Sequence, residues 1–158
     1  MTLSESAQAN SAAEARFRVQ AANSRPRTAV VVALDADGAA VVSRLAEQGR
    51  LHAAFFFATA DGTLTTPDGA VETIADAIAS ADLVVLVAGP GGRAGTAALL
   101  GEACSRRRIM TTGFIVGAAS APERELSKTL AQIRPWSLMV VVSKNDDYID
   151  DMMSALRA

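Results

Sequence analysis

Five short runs rich in apolar and β-branched residues recur along the chain, and stretches of helical texture separate each from the next. They are Thr28 to Leu34, Ala53 to Thr59, Asp82 to Ala88, Met110 to Val116 and Ser137 to Ser143. Four of the five are almost wholly apolar rather than alternating, which marks strands covered on both faces. Such strands, alternating with helices, confine the chain to an α/β fold. The expected form is a three-layer α/β/α sandwich around a largely parallel, five-stranded, Rossmann-like sheet with right-handed crossovers. A chain of 158 residues, 50% of them hydrophobic, suffices for one such domain.

The segments between the strands carry helix signals. "GAAVVSRLAEQG" places Val41, Val42, Leu45 and Ala46 on one face and closes on Gly49, a residue suited to ending a helix. "DGAVETIADAIASA" reads as a second helix capped by Asp68, with Val71, Ile74 and Ile78 at helical spacing. Residues 1–26 are rich in Ala, Ser and Asn and poor in large apolar side chains, so they read as a tail, disordered or folded into a short helix over Ser11 to Ala22. Phe17 and Val19 are its means of docking on the body. Residues 27–158 read as a single domain.

Charge and composition remove several function classes. The formal charge is −2 and the cations are scattered except for Arg106, Arg107 and Arg108, so no nucleic-acid footprint is expected. That triplet falls at a helix end, where cations complement the dipole. One cysteine, Cys104, and one histidine, His52, allow neither an internal disulfide nor a familiar metal cluster, which fits a reducing cytoplasm. The apolar runs are strand-sized, below the ~20 residues that span a bilayer, so no membrane segment is expected. The amino terminus has no signal-peptide pattern.

Ligands of open α/β sheets collect beyond the carboxyl ends of the strands, which selects two loops, "ALDADGAAV" after the first strand and "AGPGGRAGTAA" after the third. In the second, Gly91, Gly92, Gly95 and Thr96 are spaced to expose backbone N–H groups at a helix start, an arrangement that attracts phosphate. The same glycines also serve a tight turn or close helix–strand packing, and the spacing matches neither a P-loop nor the dinucleotide fingerprint.

"ADLVVLVAGPGGRAGTAA" resembles the glycine-rich signature of the tubulin/FtsZ family, an apolar strand leading to "AGMGGGTGTGAA". Gly91, Gly92, Gly95 and Thr96 match it, whereas Arg93, Ala94 and Ala97 depart from it. The similarity extends collinearly over about residues 28 to 147, from "AAFFFATAD" through "MTTGFIVGAASAPERELSKTL" to "LMVVVSKNDDYID". It implies a tubulin-like nucleotide-binding domain, with GTP or GDP and Mg²⁺ as cofactors and with Gly38, Glu123 and Asn145 as further nucleotide contacts. In the family, glycines wrap the phosphates after the first strand. Here Asp35, Ala36, Asp37, Gly38 and Ala39 stand there, so two carboxylates are expected to oppose a polyphosphate. The family's acidic catalytic loop and second domain are also expected to be missing.

The expectation is therefore a shortened, degenerate member that binds GTP or GDP weakly or not at all and does not hydrolyse GTP. The alternative is a non-enzymatic interaction or scaffold protein that keeps the fold with a dead pocket and binds a protein partner or a second copy. Glu123 also reads as an ordinary first-turn acid, and Asn145 as a turn residue. The acids at 146, 147, 150 and 151 read as the first turn of a terminal helix rather than a metal site. Trp136 reads as a packing cap, Cys104 as buried and inert, and His52 has no nucleophilic partner.

Overall fold

The computed structural model describes residues 26–145 and 147–156, so the expected tail and its helix over Ser11 to Ala22 lie outside the described residues, as does Asp146. The five expected strands are all present, one to three residues shorter than read: β1 (Ala29–Ala33), β2 (Ala53–Ala58), β5 (Leu83–Ala88), β6 (Met110–Ile115) and β7 (Met139–Val142). They pair in parallel in the order β2-β1-β5-β6-β7. Val31 is the hub, level with Phe55 on one side and Val85 on the other.

The sheet is nonetheless mixed and has seven strands rather than five. Two short strands, β3 (Leu64–Thr65) and β4 (Val71–Glu72), run antiparallel and extend it beyond β2. They take the place of most of the helix expected from Asp68. The reason is local: Pro67, Asp68 and Gly69 form a tight turn with Gly69 at φ 93°, a conformation a helix interior does not accommodate. What remains is a single helical turn, α2 (Ile74–Ala77), capped by Thr73 rather than Asp68.

Among the described residues, five α-helices cover the sheet. On one face lie α1 (Ala36–Gln48) and α5 (Tyr148–Leu156), closing a core of Val31, Leu45, Val85, Phe114 and Met153. On the other lie α2, α3 (Ala97–Arg106) and α4 (Glu123–Ile133), over Val84, Leu86, Leu100, Ile115 and Ile133. Every side chain of β5 is buried, as its unbroken apolar run requires. Removing one such side chain from water contributes roughly 1.5–3 kcal/mol. Because β1 leads into α1 on one face and β5 leads into α3 on the other, a crevice opens between their carboxyl ends. At the far side β7 is an edge strand, with Met139 and Val142 exposed. Among the described residues no helix is long and apolar enough to cross a membrane.

Candidate functional site

The crevice is closed by Asp35. As the residue before α1 it has extended backbone angles, and its Oδ1 accepts from Gly38 N at 2.8 Å, a regular helix cap. The same carboxylate reaches across to β5's loop and accepts from Gly89 N with both oxygens, at 3.1 and 2.9 Å. Burial pushes its pKa up from the ordinary 3.8, against the pull of those two amides; Asp37 nearby adds to the rise and Arg93 opposes it. Asp35 thus faces backbone amides of its own fold.

Gly38 has a packing role. A Cβ there would lie 2.2 Å from the carbonyl oxygen of Val87, so only glycine lets the first turn of α1 press against the end of β5. That oxygen also accepts from Leu34 N at 2.8 Å. Asp37 sits against Gly89, where a Cβ would meet its carboxylate at 2.3 Å.

The glycine corner after β5 is tight, with Gly91 at φ 124° and Gly92 at φ 70°. Its backbone donors are taken up by α4. Gly91 N donates to the backbone oxygen of Glu125 at 3.1 Å, Gly92 N to Thr129 Oγ1 at 3.0 Å, and Ala94 N to Gln132 Oε1 at 2.8 Å. Thr129, fully buried, uses its own proton on Gly89 O at 2.9 Å. Positions 125, 129 and 132 lie on one face of α4, so a single helix stripe clasps the whole corner. Gly89 N is held by Asp35 and Pro90 has no N–H, so the amides without a partner among the described residues are those of Arg93, Gly95 and Thr96.

The remaining predicted residues disperse. Asp37, Gly91 and Arg93 line a cleft of about 480 Å³, completed by Pro122 and Glu125. Asp35, Gly95 and Thr96 line a second, of about 500 Å³, with Asp61 and again Arg93. Arg93, read from the sequence only as a departure from the signature, borders both clefts and makes no ion pair among the described residues. Thr96 precedes α3 without a side-chain cap bond. Glu123 is exposed on the first turn of α4 and borders neither cleft; Glu125, two residues on, borders the first and pairs with Lys128 at 3.0 Å. Asn145 lines neither: its Oδ1 accepts from Asp147 N at 3.2 Å in the turn that opens α5.

Thr129 and Gln132 escaped the sequence reading. Their signal was a polar threonine inside the apolar stripe of Leu126, Leu130 and Ile133, which implies a buried hydroxyl and therefore a partner. Cys104 is buried on α3, and burial pushes its thiol up. Trp136 packs on α3 at Gly101, where a Cβ would fall 2.3 Å from its own Cβ. Among the described residues no three His, Cys, Asp or Glu side chains are grouped to hold a metal. No protein-family model matches the chain, and no curated protein matches its sequence.

Proposed function

We propose that the chain is a non-catalytic α/β domain that has the layout of a nucleotide-binding domain but acts through contacts with protein, binding GTP or GDP weakly or not at all and hydrolysing neither. The observation that carries this reading is the clasp: the amides of Gly89, Gly91, Gly92 and Ala94, on which a phosphate cradle would depend, are already bonded to Asp35 and α4. A phosphate would have to displace bonds worth about 1 kcal/mol each and leave buried partners such as Thr129 unpaired. The second cleft retains the free amides of Gly95 and Thr96 beside Arg93, but the carboxylates of Asp35 and Asp61 share it. The resident groups do not fit a nucleotide triphosphate with Mg²⁺, and no hydrolytic step is assigned to them.

Thermal melting with GTP, GDP, ATP or NAD, each with and without Mg²⁺, tests this. A ligand at a hundred times its dissociation constant would add ~2.7 kcal/mol. No rise in Tm and no phosphate release from GTP are expected. A clear rise with GDP would show that the corner opens and that the domain is a nucleotide binder.

A further inference from the structure

The sheet ends at β7, and among the described residues no strand pairs with its outer side. Ser143 N donates inward to Ile115 O at 2.9 Å, in step with the parallel register that sets Val142 beside Ile115. Peptide groups alternate in direction along a strand, so Val141 also turns inward, whereas Val140 and Val142 turn N–H and C=O away from the sheet. Free donors and acceptors on an edge are a template for another strand. Apolar side chains gather along it: Leu138 is 81% exposed, and Met139, Val142 and Tyr148 are exposed as well.

The two ends of β7 carry opposite charge. Arg134 precedes it, exposed and without an ion pair among the described residues. Asp147 and Asp151 follow it, likewise exposed and without an ion pair among the described residues, and they outnumber the one cation beside them, Lys144. A parallel match of two such edges would set arginine against arginine and acid against acid; a reversed one sets each against its opposite.

We propose that a second copy of this chain adds its β7 to this one, antiparallel and symmetric about Val141. Val140 of each copy then lies opposite Val142 of the other, and the outward-facing residues exchange N–H and C=O bonds. Arg134 of each copy comes to the end that holds Asp147 and Asp151 of the other. Met139 stands on the face of Val141, which packs in the core beneath α1 and α5, and comes level with Ser143 of the second copy. Ser143, Val142 and Tyr148 border a hollow of about 330 Å³, which receives that methionine. The pairing rests on the reading of this chain as a domain that acts through protein contacts, and it names the partner. It uses no residue of the glycine corner, so nucleotide melting and subunit mass report on the two ideas separately.

Sedimentation of the full chain over a range of micromolar concentrations tests it. The mass should rise with concentration from 16.3 kDa towards twice that value. Val142→Lys, which places a charge on the outer edge and leaves the bonds to β6 in place, should weaken association about tenfold or more. Arg134→Glu should weaken it severalfold at low salt, and Asp147→Arg with Asp151→Arg should restore it. Far-UV circular dichroism should be retained throughout, and Arg134→Glu, being at an exposed position, keeps the test valid if the lysine unfolds the strand. Amide exchange should show Val140 and Val142 protected only as the copies associate. A monomer at every concentration, or a dimer that neither variant weakens, would overturn the proposal. So would protection of Val140 and Val142 in the monomer, because another segment of the same chain would then cover the edge.

Discussion

Two regions of the molecule build turns from aspartate and glycine, and they do so by opposite means. In the β2–β3 and β3–β4 turns, "TADGT" and "TPDGA", each bond closes within four residues: Thr59 N donates to Thr63 O and Thr66 N to Ala70 O, with Gly62 and Gly69 at φ 84° and 93°. Asp61 there accepts from Thr59 Oγ1 and Thr63 Oγ1, and those hydroxyls hold its pKa down to about 2 in full exposure. At the corner of β1 and β5, Asp35 bonds Gly38 three residues on but also Gly89, 54 residues away, and burial raises its pKa. The hairpin turns are properties of five residues, whereas the corner is a property of the assembled fold.

This contrast predicts where damage is large. Gly38→Val should cost ~3 kcal/mol or more, because the new side chain must enter space held by the Val87 carbonyl. Gly69→Ala, in open space, should cost only about 1 kcal/mol from its positive φ. Equal urea midpoints for the two variants would erase the distinction.

Thr129→Val should come next, at about 2 kcal/mol, since it strips Gly92 N and Gly89 O of their partner while keeping the volume. Thr129→Ser, which keeps the hydroxyl, should recover most of that loss. Failure of serine to recover it would mean that the methyl group, rather than the clasp, holds α4 in place.

The two aspartates should then give pH dependences of opposite sign. Asp35 has a folded pKa above 3.8, so its contribution is fully present below that value and is lost as pH rises through the folded pKa. Asp35→Asn should remove that loss from a stability profile taken between about pH 2 and pH 6. Parallel profiles for parent and variant would place Asp35 in water.

The smallest effect belongs to Asp61, whose folded pKa of about 2 lies below 3.8. Its contribution is present above 3.8 and fades as pH falls towards about 2, attenuated by solvent. Asp61→Asn should flatten this shallow acid limb and leave stability at neutral pH nearly unchanged. An Asp61→Asn loss at neutral pH as large as that of Thr129→Val would show that this turn, too, depends on distant partners.

The five parallel strands were legible because burial on both faces writes itself as continuous apolar sequence, most clearly in Leu83 to Ala88. The β2–β3 and β3–β4 turns were also written locally, in one Asp-Gly pair each, but the helical spacing of Val71, Ile74 and Ile78 outweighed them in the reading. Val71 in fact stands 67% exposed on an edge strand. At the site, sequence could place Asp35 and Gly91 at strand ends and no further. Which partner an amide finds depends on elements dozens of residues away, as the bond from Gly92 N to Thr129 shows.

The two margins of the sheet are unequal. On one side β4 is two residues long and carries Glu72, a short, charged margin of the kind that discourages pairing. On the other, β7 presents Met139 to Val142 with no proline or charge among them. A sheet with two open margins polymerises end to end, but one with a single open margin can be lengthened only once. Two copies meeting β7 to β7 about a two-fold axis would leave only β4 margins outward, so assembly through this edge stops at a closed pair.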